Sequence, residues 1–237
     1  MSKYKIIISN DPGLTGGITI LDGKKEPQIH EMPVEEVVVN KKKKKIYDLD
    51  AIAAILEPYR DKDVLYIQEL VSAMPGNGNV SMFGFGRSSG STLGIAAGVG
   101  FDRYEVRPQV WKKQFPKLET PIFKDLKLEA KELRSLGKTD REELKRLKAL
   151  QKTLKDKALK KANKKEIDKV KAVVALNAAG VTKINAKAKS EAKRASRSLA
   201  SELYPKLAHR FKRVKDDGLA ESLLIAIFGK ETQDELV

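Results

Sequence analysis

Asp11 closes an apolar run, Ile6-Ile7-Ile8, and is followed at once by Pro12-Gly13, a turn signal. Its carboxylate therefore falls at the edge of a sheet, rigid yet open, although an ordinary turn aspartate has the same surroundings. Glu69 repeats the arrangement: Val64-Leu65-Tyr66-Ile67 reads as a short buried strand that delivers an acid at its C-terminal end, where a Gly-rich stretch begins. Successive strand residues face opposite ways, so a one-residue slip would exchange Glu69 for Gln68; a carboxylate is the stronger ligand, which favours Glu69. Asp217 and Glu221 lie four apart at the start of a helical pattern and share a face that continues through Leu224 and Phe228. Asp216 or Asp217 could be a plain N-cap. A capping box needs its acid three residues after the cap, so capping leaves Glu221 unexplained.

Carboxylates brought together without cations repel and raise one another's pKa, a cost that bound Mg²⁺ removes. Four acids from separate elements can hold two divalent ions about 4 Å apart, one activating water for in-line attack and the other stabilising a leaving 3′ oxygen. That chemistry needs no nucleophilic side chain. Rival chemistries lack their residues: there is no cysteine, and His30 and His209 have no metal-ligand spacing. Gly13-Leu14-Thr15-Gly16-Gly17 is no phosphate loop, because no Lys follows and a strand comes next.

The elements that must position these acids form an alternating pattern. Residues 3–10 and 16–22 read as neighbouring strands joined at Pro12-Gly13, and 28–32 adds a third. A helix starts near Asp48, capped by Asp48 or Asp50, with Ile52, Ile55 and Leu56 on its apolar side. After strand 64–67 come a small-residue helix over 88–99, a strand over 104–106, a helix from Pro108 to Phe115 and the final helix over 217–228. This is an α/β mixed sheet flanked by helices. The run Lys41 to Lys45 is expected as a solvated loop between a strand and a helix. Residues 72–91 are expected as a Gly-rich loop whose Met82, Phe83 and Phe85 can wedge against unpaired bases while Arg87 meets a phosphate. Phe83 and Phe85 could equally be core anchors at a helix start.

The chain has 237 residues, with 47 Lys plus Arg against 32 Asp plus Glu and a formal net charge of +15. Residues 112–215 hold 32 of the basic residues and 12 of the acids, a local excess of +20. That points to an anionic partner, and to nucleic acid before a membrane surface. The Lys-rich middle reads helical, with Leu144, Leu147, Leu150, Leu154, Val170, Val173 and Val174 on an apolar seam and breaks near Gly137 and Gly180. It is expected to be an all-helical insertion, 118–189, within a catalytic core made of 1–117 and 190–237. The short run Ile6 to Ile8 falls far below a signal segment or a membrane span, and with no cysteine a reducing cytoplasm is expected.

These residues carry a family resemblance. NDPGLTGGITILDG resembles the first hairpin of RuvC-like resolvases, whose motif aspartate precedes Pro-Gly; here Asn10 replaces the usual apolar neighbour. IQELVSAMPGNGNVSMFGFGRSSG resembles the second motif of the phage and bacterial branch and places the family glutamate on Glu69. VRPQVWKK, with Trp111, Lys112 and Lys113, resembles the next block, and KDDGLAESLLIAIFG resembles the C-terminal acidic helix with Asp217 and Glu221. The resemblance implies an RNase H-like fold, Mg²⁺ or Mn²⁺, a homodimer, and symmetric nicking of Holliday junctions in a bacterial or phage-infected cell, with Lys112 and Lys113 touching DNA. Two alternatives stay open: a nuclease for flaps, forks or RNA–DNA hybrids, and an inactive protein that binds branched DNA.

Overall fold

The computed structural model describes residues 3–39, 41–72 and 78–236. Five strands form the main sheet: β1 (Ile6–Asp11), β2 (Gly17–Asp22), β3 (Gln28–Glu31), β6 (Val64–Glu69) and β7 (Asp102–Val106). Their order is β3-β2-β1-β6-β7. β2 runs antiparallel to both β1 and β3, whereas β1, β6 and β7 are mutually parallel. This is an α/β fold of RNase H-like type, a mixed sheet flanked by helices.

Both sheet faces are covered, which is why β1 and β6 read as continuous apolar runs. Ile6, Ile8, Val64 and Tyr66 face α1 (Leu49–Leu56) and α2 (Asn79–Val99). Ile7, Leu65 and Ile67 face the other side, against Trp111 of α3 (Pro108–Lys113) and Leu223 and Leu224 of α6 (Asp217–Leu236). Asp48 caps α1, its Oδ1 accepting from Ala51 N at 2.9 Å.

Two expectations are corrected here. The lysine run is not a loop: β4 (Val34–Val39) and β5 (Lys42–Tyr47) pair as a separate antiparallel hairpin. Val-rich β4 supplies the strand propensity, and its acids answer the lysines, with Lys43 Nζ 3.3 Å from Glu36 Oε2. A run of identical residues shows no period of two, so the strand left no trace in the pattern. The expected Gly-rich loop is helical from Asn79 onward, because Ser89, Thr92, Ala96 and Val99 form one buried stripe. Met74-Pro75-Gly76 lie outside the described residues.

The chain divides into two compact units, 1–118 with 194–237, and 119–193. The second unit is built from α4 (Pro121–Thr153) and the greater part of α5 (Lys157–Leu203), which form an antiparallel pair. In α4 the less exposed positions are Phe123, Leu126, Ala130, Leu133, Gly137, Asp140, Leu144, Leu147 and Gln151, and in α5 a matching set runs Asn163, Ile167, Val170, Val174, Asn177, Val181, Ile184 and Ala188, with Gly180 and Asn185 beside it. Steps of three and four alternate without interruption, the heptad spacing of a coiled coil. Polar seam residues pair across it: Asn177 donates to Asp140 at 2.6 Å, Asn163 to Gln151 at 2.7 Å and Thr120 to Glu191 at 2.8 Å.

Gly137 and Gly180, expected as breaks, sit inside unbroken helices because each faces the opposing helix. A Cβ on Gly180 would come within 2.6 Å of Leu133 Cδ2. Close approach offsets the roughly 1 kcal/mol that a helical glycine costs. The turn falls instead at 154–156, where Leu154 is extended and Asp156 Oδ1 accepts from Leu159 N. Among the described residues no helix is long and apolar enough to cross a membrane.

Candidate active site

Asp11 and Glu69 end adjacent parallel strands in the same register, Asn10 pairing with Gln68 one step earlier. Alternation then turns both carboxylates to the α6 side. The register question raised by Gln68 has a physical answer: Gln68 points to the opposite face and is fully buried. Its Oε1 accepts from Asn10 Nδ2 at 2.7 Å and Thr92 Oγ1 at 2.6 Å, and its Nε2 donates to Ser89 Oγ at 2.7 Å. An amide both donates and accepts, as this network requires; a carboxylate in its place could not donate to Ser89.

On the other face Trp111 Nε1 donates to Glu69 Oε2 at 2.8 Å, fixing that carboxylate. Asp217 opens α6 and is buried, and Glu221 follows one turn later, half-buried. Lys112 Nζ pairs with Glu221 Oε1 at 3.1 Å and lies 4.8 Å from the centre of the Trp111 ring, and Ser196 Oγ donates to Glu221 at 3.1 Å. Asp216 takes a different part. Buried, it accepts from Arg213 N and Nε and so closes the turn before α6.

The charges are felt mutually. Burial, then the charges of Glu221 and Glu69, hold the Asp11 carboxyl well above the ordinary aspartate value; Lys112 offsets part of this and Asp217 adds to it. Burial also lifts Glu69, against the pull of Lys112 and the Trp111 hydrogen bond. Burial pulls the Lys112 ammonium down, yet Glu221, Glu69 and Asp11 together raise it above its usual value.

Glycines let the start of α6 approach Asp11. A Cβ on Gly218 would lie 2.3 Å from Thr15 O and 3.0 Å from Asp11 Oδ2, and one on Gly16 would lie 1.9 Å from Asp11 O. The start of α6 can therefore rest on the β1–β2 turn only without side chains at these positions. Gly218, Trp111 and Ser196 were not among the site residues read from the sequence. Trp111 was visible only as part of the VRPQVWKK block, and Gly218 as a glycine set between two acids at the start of a helix; Ser196 left no readable sign.

The expected DNA contacts lie on two elements. Met82, Phe83, Phe85 and Arg87 occupy the first turns of α2, with Phe83 75% exposed and so no core anchor. Lys113 is exposed at the end of α3, whereas Lys112 is turned into the acid cluster.

No protein-family model and no curated protein matches this sequence. Among solved structures, Thermus thermophilus RuvC is similar over 46% of this chain and 67% of its own, at 15% identity and a TM-score of 0.29. T. thermophilus RuvC in complex with Holliday junction substrate is similar over 47% and 70%, at 16% identity and a TM-score of 0.32.

The donor set suits a hard divalent cation, being all oxygen and rich in mutually repelling charge. Among the described residues no three acids or imidazoles yet converge closely enough to enclose an ion. Glu221 is turned toward Lys112 and Ser196 instead, and the ammonium supplies part of the positive charge that such an ion would bring.

Proposed function

We propose that this chain is a divalent-metal-dependent endonuclease for branched DNA, four-way junctions foremost. The observation that carries this reading is the group of Asp11, Glu69, Asp217 and Glu221, delivered by two strand ends and one helix to a single sheet face. The RuvC resemblance of the motifs that hold them supports DNA as substrate, as does the formal net charge of +15.

Asp11, Glu69, Asp217 and Glu221 would hold Mg²⁺ or Mn²⁺, two ions in the full form of this chemistry. When bound, such ions supply an activated water and stabilise the leaving 3′ oxygen. Trp111 keeps Glu69 in one rotamer for ligation, a supporting hydrogen bond of the kind that orients ligands. Lys112, released from Glu221, presents its ammonium to a phosphate oxygen. A homodimer, as the resemblance implies, would bring two such sites to opposite strands of a junction.

The test is cleavage of a four-way junction in Mg²⁺ or Mn²⁺, beside a flap, an RNA–DNA hybrid and the Asp11→Asn variant, with sedimentation of the free protein. Paired nicks by the parent and none by the variant support the reading. Preference for the flap or hybrid would reassign the substrate. Binding without nicking in either metal would make this a branched-DNA-binding protein.

A further inference from the structure

The hairpin of β4 and β5 stands on the turn that follows Asp11. Met32 N donates to Gly16 O at 3.1 Å and Asp48 N to Pro33 O at 3.1 Å, closing its root, where Tyr47 is buried in the core. Leu14 of the turn lines one cleft with Lys44, Lys45 and Ile46. Beyond the root the ribbon reaches into solvent: Lys41 to Lys45 are all exposed, and Val38 and Val39 are 72% and 47% exposed. Its connection is two residues long, with Lys41 in the left-handed region at φ 61°, so the tip is narrow.

Cross-strand partners share a face, and the outer rungs are Val37 opposite Lys44, Val38 opposite Lys43 and Val39 opposite Lys42. Each face of the tip therefore sets a branched apolar group beside an ammonium. Glu35 and Glu36 lie nearer the root, and Glu36 is paired with Lys43 at 3.3 Å. Phosphates alone would satisfy the lysines and leave the valines in water. The major groove of B-form DNA answers both, with phosphates on its rims and thymine methyl groups and guanine acceptors on its floor. At about 12 Å wide it admits a two-stranded ribbon, which the minor groove, at about 6 Å, does not. The A-form groove of RNA or of an RNA–DNA hybrid is too deep and narrow to be entered.

We propose that the β4–β5 ribbon enters the major groove of a B-form arm beside the phosphate to be cut. The inference rests on the nuclease reading and adds to it the form of duplex that the chain accepts at its site. From the Val34–Tyr47 rung to the Val39–Lys42 rung the hairpin extends about 17 Å, or about five base pairs at about 3.4 Å each, which sets how far from the site it reads.

The test uses the full chain in EDTA, so that nothing is cut, with a four-way junction and dimethyl sulfate, which methylates guanine N7 in the major groove and adenine N3 in the minor groove. Guanines of one arm, within about five base pairs of the branch point, should be protected and adenines not. In the double variant Lys42→Gln, Lys44→Gln this protection should vanish and junction affinity fall about tenfold, the scale of one base-edge contact. Binding to a junction with RNA–DNA hybrid arms should not change. Because the chain has no cysteine, Val38→Cys can carry iron-EDTA as a second reading that removes no lysine, and its radicals should cut the same arm over the same interval. Protection unchanged in the double variant, adenine protection in its place, or an equal loss on hybrid arms overturns the proposal, as does a hairpin that binds polyglutamate while the junction stays unprotected. The two readings fail separately: guanine protection that depends on Lys42 and Lys44 in a protein that never nicks DNA sinks the nuclease and keeps the ribbon, and nicking with no guanine protected does the reverse.

Discussion

Lys112 Nζ stands 3.1 Å from Glu221 Oε1, an ion pair between residues 109 apart in sequence. The amine shares the field of Glu69 and Asp11 as well, so it is an internal counter-ion to a cluster that a divalent cation would otherwise neutralise. Lys112→Met should therefore lower the melting temperature in EDTA and lower the Mg²⁺ concentration needed for half-maximal stabilisation. Single-turnover cleavage should fall about a hundredfold, the scale on which loss of one charge-stabilising group is felt. Calorimetry with a Mg²⁺ titration, followed by a quench assay, reads all three; an unchanged Mg²⁺ requirement would show that Lys112 does not compete for the site.

Asp11→Asn should abolish nicking and yet stabilise the metal-free protein. The folded-state pKa of Asp11 lies above its unfolded value of 3.8, so the folded state binds the proton more tightly. Its contribution is favourable at low pH and is lost as pH rises through the raised value. Glu69 acts in the same sense. In EDTA the parent should thus gain stability relative to Asp11→Asn as pH falls from about 8 to about 5, and Mg²⁺ at neutral pH should raise the parent's melting temperature more than the variant's. Parallel pH curves for the two proteins would refute the coupling.

Gln68→Ala and Glu69→Gln should separate stability from chemistry. Removing the Gln68 amide strands Asn10, Thr92 and Ser89 in the interior, at about 1–3 kcal/mol for a buried group left unpaired. At about 2–4 °C per kcal/mol for a chain of this size, the loss is visible in a melting curve. Its cleavage rate below the melting range should stay within about tenfold of the parent's. Glu69→Gln should melt near the parent and nick almost not at all. The reverse pattern would put the ligand at Gln68.

The coiled-coil unit, residues 119–193, carries 22 Lys and Arg against 11 Asp and Glu. Lys152, Lys155, Lys160, Lys161, Lys164 and Lys165 cluster near its turn and are all exposed. Replacing the six with Gln should weaken binding to junction and duplex alike, and should flatten the salt dependence by about 0.9 in log K per log salt for each phosphate no longer neutralised. Cleavage at saturating DNA should survive. Binding isotherms at several salt concentrations decide, and an unaltered slope would remove these lysines from the DNA path.

Local pattern was enough for the sheet strands and for the acids at their ends. An apolar run stopped by Asp-Pro-Gly, a second stopped by Glu, and two acids one helical turn apart are signals written within a few residues, as is the charge that separates the Lys-rich middle from the rest. What depended on distant partners was not legible. Lys42 to Lys45 became a strand only because Val34 to Val39 lay beside it, and Gly137 and Gly180 stayed helical because an opposing helix needed the space. The facing of Gln68 and Glu69 followed from the pairing of β6 with β1, since a period of two has no absolute phase until a neighbour sets it. Trp111, Lys112, Ser196 and Gly218 joined the acids by the same route: burial and hydrogen bonding act through space, and residues 25 to more than 200 positions apart share one site only once the chain has packed.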